Sequence, residues 1–165
     1  MRLPPLFCAA CLLSSTAFAG DEAFRDFANL TGQWTCHGVF PASGKTIDST
    51  VNFAFDLEGK AVVKHHDDTS APATYHALEA WGYDAKAHQY NATILDSFGG
   101  ARVFSSEGWK DGRLVWRSSS EIQPAQRFTY AREPGDTLRI DWEMQKQGGF
   151  VIGDTLHCSR DSAAH

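Results

Sequence analysis

Long apolar runs are nearly absent from this chain of 165 residues. A helix needs about 20 consecutive apolar residues to span a bilayer. The run from Leu3 to Leu13 is shorter than that, and nothing downstream approaches it, so no stable membrane insertion is expected. Basic residues are also in short supply, 15 Lys and Arg against 20 Asp and Glu, and they form no run. A net charge of −5 makes nucleic acid and anionic membrane surfaces poor partners. Cysteine is scarce, four in all, with Cys8 and Cys11 inside the opening apolar segment. Motifs that carry chemistry are missing as well. Ser118-Ser119-Ser120 has no glycine elbow and no phosphate loop occurs, so neither a catalytic triad nor a phosphate cradle is supported. No connection is long enough for a helical crossover, which removes parallel α/β architectures.

What is present begins with a processing signal. Arg2 supplies a small positive region, an apolar stretch follows, and Ala17-Phe18-Ala19 is an A-x-A cleavage site. Residues 1–19 are therefore expected to be a signal peptide and residues 20–165 one domain, placed in the periplasm or secreted. That compartment favours oxidation, so Cys36 and Cys158 are expected to form one disulfide, the alternative being two buried free thiols.

Downstream of the signal, Phe24, Phe27, Ala28 and Leu30 recur at helical spacing among Glu22, Arg25 and Asp26. A short helix with one apolar face is predicted over 22–30, with Asp21 as N-cap and Gly32 ending it. From there the period changes to two. Ile47, Val51, Phe53 and Phe55 alternate with polar neighbours, and Leu138, Ile140, Trp142 and Met144 do so most clearly. Further strands carry Trp34/Cys36/Phe40, Val62 to His66, Tyr75 to Tyr83, Tyr90/Ala92/Ile94 and Val103 to Trp109. Leu114/Trp116, Phe128/Tyr130 and Phe150/Ile152/Leu156/Cys158 complete the set. Glu58-Gly59, Gly99-Gly100, Asp111-Gly112, Pro134-Gly135-Asp136 and Gly148-Gly149 separate them as hairpin-sized turns.

Ten antiparallel strands in sequence order form a meander, which leaves two exposed edges unless it closes. Closure sets the first strand beside the last. Cys36 and Cys158 lie on those two strands, each on the apolar face, with Trp34 and Leu156 respectively. The expected fold is thus all-β: a closed antiparallel up-and-down barrel of about ten strands, its N-terminal helix capping one end and a disulfide stapling its seam. Trp34, Trp116, Trp142, Phe53 and Phe128 are expected to be buried.

Gly32-Gln33-Trp34 after a short amphipathic helix resembles the opening motif of the lipocalin and calycin superfamily. Ala80-Trp81-Gly82-Tyr83-Asp84, followed by Tyr90 and Asp96-Ser97, is similar to the central region of a bacterial lipocalin-like family of unknown function. The likeness spans residues 24–159 and implies a fatty-acid-binding-protein-like barrel. It brings no established activity with it.

Barrels of about eight strands have interiors just wide enough to fill with side chains or to hold one small ligand, so ten should leave a cavity. Alternation assigns Phe55, Trp116, Ser118, Tyr130, Trp142 and Asp154 to its lining, with Ser120 continuing the face of Ser118 and Asp154 lying between Ile152 and Leu156. Glu79 and Asp96 also fall on inward faces. The plainer alternative for Asp96 and Asp154 is a wet strand end, or pairing with Arg132 or Arg102. His65-His66-Asp67-Asp68 invites a metal, but neighbours on a strand point to opposite faces, and the tract reads as solvated loop. His37 and His157 lie opposite their neighbouring cysteines and should face outward. A haem-binding relative of this barrel class uses a histidine ligand, but its fuller motif is not evident, and no cofactor is predicted. The reading that follows is an exported carrier of a small, mostly apolar or amphipathic molecule. The alternatives are a cavity-based enzyme, haem-dependent or isomerase-like, and a filled barrel that acts only through its surface.

Overall fold

The computed structural model describes residues 22–160. The segment expected to be a signal peptide, its expected cleavage site and the expected N-cap Asp21 lie outside the described residues. A helix over Glu22–Leu30 is followed by eleven strands. They are β1 (Gly32–Phe40), β2 (Lys45–Asp56), β3 (Ala61–Asp68), β4 (His76–Asp84), β5 (Gln89–Asp96) and β6 (Ala101–Ser106), then β7 (Trp109–Lys110), β8 (Arg113–Ser118), β9 (Gln126–Glu133), β10 (Thr137–Lys146) and β11 (Gly149–Arg160). Consecutive strands pair antiparallel except β6 and β7, β1 pairs with β11, and β6 pairs with β8 past the two-residue β7, which pairs with β8 alone. Ten strands therefore close a barrel and β7 is an appendage to it.

The closing seam is in register from Trp34↔Arg160 to Val39↔Thr155. Cys36 and Cys158 are directly opposite one another and form the disulfide, 122 residues apart in sequence. His37 and His157, the next register pair, are exposed on the outer surface.

The N-terminal helix is of the 3-10 type, which follows from its apolar positions. Phe24, Phe27 and Leu30 recur every third residue and all are buried, matching three residues per turn; Ala28, off that row, is exposed. The helix plugs one end of the barrel. Phe27 meets Trp81, Tyr90 and Trp109, and the Tyr90 hydroxyl donates to the Ala23 carbonyl. Trp34 Nε1 donates to the Leu30 carbonyl at 2.8 Å.

Three strand readings are corrected. The segment from Val103 to Trp109 is broken, because Gly108 adopts φ +87° and lies so close to the Tyr90 ring that a Cβ there would sit 2.8 Å from it. The tract from His65 to Asp68 is the end of β3, not a loop: paired with β2 and β4, it alternates like the rest of the strand. Third, β11 carries a bulge at Gly153. Trp142 pairs with Asp154 but Glu143 pairs with Ile152, so the bulge reverses the alternation. Leu156 and Asp154 stay inside, whereas Ile152 and Phe150 move to the outer face. There the Arg127 guanidinium lies over the Phe150 ring at 4.4 Å. A Cβ at position 153 would sit 2.5 Å from the Trp142 ring, so the indole packs on bare backbone.

Candidate functional site

The interior divides into two halves. The half nearer the helix is filled: Trp81 stacks against Trp116 and meets Phe53 and Tyr130, with ring centroids 5.0–5.7 Å apart. The half toward the β1–β2, β3–β4 and β5–β6 turns holds a cavity of about 550 Å³. A pocket of that size is within the range that takes a small organic molecule.

Alternation on each strand decides what faces this space. On β3, Val62 is buried, so Lys64, His66 and Asp68 point inward behind it. Lys64 pairs in register with Glu79 on β4, and Glu79 with Ile94 and Arg102 beyond. Phe128, Trp142 and Asp154 form a second row across β9, β10 and β11. Apolar walls come from Phe40, Ile47, Phe128, Ile140, Trp142 and Leu156. Phe98, 75% exposed, stands at the rim beside Tyr75.

Two of the cations are already committed. Lys64 is 2% exposed, and its Nζ donates to Glu79 Oε1 at 2.6 Å and to the Tyr130 hydroxyl at 3.0 Å. The other Glu79 oxygen accepts from Trp81 Nε1 at 2.9 Å. Arg102 donates to Asp96 at 2.7 Å, Gln126 at 2.8 Å and the Tyr75 hydroxyl at 3.3 Å. Burial raises the Tyr75 hydroxyl, and raises that of Tyr130 far more. The pairing of Asp96 with Arg102 is one of the alternatives the sequence left open.

Asp154 is different. Among the described residues it makes no hydrogen bond or ion pair, yet it lines the cavity. Burial, aided by the nearby Asp68 carboxylate, pushes its pKa up to about 7. His66 lines the same cavity from β3, and its Nε2 is buried without a hydrogen-bond partner, 3.8 Å from Asp68 Oδ1. Burial, with Lys64 and His76 adding to it, lowers the His66 pKa to about 3, so the imidazole is neutral. Asp68 accepts a hydrogen bond from Ser49 at 3.1 Å. Among the described residues no group of three or more His, Cys, Asp or Glu could hold a metal ion, and no helix is long and apolar enough to cross a membrane.

No family model and no curated protein matches the chain. The closed antiparallel barrel is consistent with a lipocalin-like fold, and its geometry is compatible with a ligand-binding cavity.

Of the six residues that alternation assigned to the lining, Trp142 and Asp154 face the cavity and four sit elsewhere. Phe55 is near the plugged end of β2, partly buried against the core. Trp116 and Tyr130 are buried in the aromatic stack beneath the cavity. Ser118, at the end of β8, accepts from the Gln126 amide at 2.9 Å; Ser120, beyond the strand end, is exposed. Phe128 and Trp142, expected in the buried core, are only partly buried because they border the open space. Lys64, His66 and Asp68 were missed. Alternation from Val62 was the available signal, obscured by the polar character of the residues that continue it.

Asp154 and His66 give the barrel opposed pH responses. Between 3.8 and about 7 the folded protein keeps a proton on Asp154 that the unfolded chain has lost, so this group lowers stability as pH rises. Between about 3 and 6.5 the unfolded chain protonates His66 and the folded one does not, so this group lowers stability as pH falls. The two offset each other from about pH 4 to about pH 6.5. Asp154→Asn should expose the histidine, gaining stability relative to the wild type by about 1.4 kcal/mol per pH unit, or about 3 kcal/mol across that window. Urea unfolding of both proteins through the window measures it; parallel curves would show that water solvates the Asp154 carboxylate.

Proposed function

We propose that the protein is an exported, lipocalin-like barrel that binds and carries a small, mostly apolar molecule in the half of its interior away from the helix. The observation that carries this reading is the cavity of about 550 Å³, walled by Phe40, Ile47, Phe128, Ile140, Trp142 and Leu156 and supplied with a few convergent polar groups. That combination is the usual form of a small-molecule site. Export is supported by the leader with its Ala17-Phe18-Ala19 site and by the disulfide, which fits an oxidising compartment.

The neutral fluorophore N-phenylnaphthylamine tests the reading. Its emission should rise when it enters the wild-type barrel, and Trp142 emission should fall as the bound ring takes up its energy. Ile140→Trp, which fills the cavity from one wall, should weaken this binding at least about tenfold, equivalent to about 1.4 kcal/mol. Native mass spectrometry of unheated protein should also show a retained small molecule or displacement by the probe. A wild-type barrel that excludes the probe and carries no adduct would leave only surface-based function.

A further inference from the structure

The geometry points to a ligand with a primary ammonium group on an apolar body, its nitrogen held by Asp154, Asp68 and His66 and its body lying against Trp142 and Phe128. This inference rests on the carrier reading and specifies its ligand class. The charged groups of the cavity are unequally partnered. Lys64 is neutralised by Glu79 and Arg102 by Asp96, each through a direct hydrogen bond, and Lys45, the third cation of the lining, is exposed at the rim with its Nζ 6.0 Å from the Phe40 ring centroid. An anionic ligand would have to compete with both built pairs. The carboxylates have no such cover. Asp154 makes no hydrogen bond or ion pair among the described residues, the Lys64 charge acting on it only from a distance, and Asp68 accepts one hydrogen bond, from the Ser49 hydroxyl. A carboxylate facing an apolar cavity without a counter-ion is unfavourable, and an ammonium ion entering beside it removes that penalty.

His66 is the second, independent sign. Its buried Nε2 has no hydrogen-bond partner and lines the same cavity beside Asp68, 3.8 Å from its Oδ1. A neutral imidazole protonated at Nδ1 presents Nε2 as an acceptor. A primary ammonium has three N–H donors to offer, matching one oxygen from each carboxylate and this nitrogen. Trp142 and Phe128 add aromatic faces near the same row, surfaces that attract a desolvated cation.

A matched series separates this inference from the carrier reading beneath it. Octylammonium, octanol and octanoate share one chain and differ in the head group. Each is used to displace N-phenylnaphthylamine from wild-type protein at about pH 8, where Asp154, titrating at about 7, is largely ionised. Octylammonium should bind at least about tenfold more tightly than octanol, and octanoate more weakly than either. Asp154→Asn, and separately Asp68→Asn, should remove most of the ammonium preference while leaving octanol affinity within about twofold of wild type. Probe entry with octanol or octanoate competing as well as octylammonium would overturn the inference and leave the carrier standing. Failure of the probe to enter at all would remove both. Should either variant not fold, the ranking of the three head groups on wild-type protein still decides.

Discussion

Lys64→Met is expected to destabilise the barrel by about 3–5 kcal/mol, the cost of breaking a buried ion pair from one side. The Lys64 and Glu79 side chains are 3% and 5% exposed and joined at 2.6 Å. Removing the ammonium leaves the carboxylate, only 5% exposed, with Trp81 Nε1 as its one remaining hydrogen-bond donor among the described residues. Lys64→Met combined with Glu79→Gln should recover most of the loss, to within about 1–2 kcal/mol of wild type, because the glutamine oxygen still accepts from Trp81 and no buried charge remains. Chemical denaturation of the two single variants and the double variant closes the cycle. A Lys64→Met cost below about 1 kcal/mol would mean that water reaches Glu79, and the floor of the cavity would then be wet.

Loss of the disulfide has an effect of similar size by a different route. Cys36→Ala with Cys158→Ala should lower stability by about 4–5 kcal/mol, an upper figure set by loop-closure entropy in the unfolded chain. The bridge joins residues 122 apart, so it restricts nearly the whole folded chain once unfolded. The native seam itself has other support. β1 and β11 pair from Trp34↔Arg160 to Val39↔Thr155, Arg160 lies 4.4 Å over the Trp34 ring, and its guanidinium donates to the Thr31 and Asn29 carbonyls. The variant should therefore still fold to a closed barrel, with a lower urea midpoint than the oxidised protein and one equal to that of the reduced wild type. A difference under about 1 kcal/mol would show that the unfolded ensemble is already compact across this span.

The features legible in the sequence are those fixed by local physics. Asp111 and Gly112 both adopt positive φ in the β7–β8 hairpin, as their side chains allow and a tight two-residue turn requires. The alternation of Leu138, Ile140 and Trp142 names one face of β10 wherever that strand ends up. Strand number and parity set the strands that carry Cys36 and Cys158 side by side and antiparallel, because a meander with an even number of strands can close only with its first and last strands antiparallel; the register that puts the two cysteines opposite one another is seen in the closed barrel.

The tertiary structure decided what local pattern could not reach. A single extra residue at Gly153 reverses the inward face of β11, sending Phe150 and Ile152 outward while Asp154 stays in; a glycine in a strand carries no label for that choice. The burial of Lys64 is decided by Glu79, fifteen positions away in sequence and adjacent only when β3 and β4 pair. The site follows the same rule. Alternation identified Trp142 and Asp154 as inward, but it cannot tell a filled layer of the barrel from an open one. Trp116 and Tyr130 share the inward orientation yet pack into the aromatic stack, because Trp81 and Phe53 reach them from the opposite wall. Side-chain direction is a property of one strand and is written in its period. Whether a side chain meets a partner, a neighbour's ring or empty space depends on the distance across ten strands, and that distance exists only once the barrel has closed.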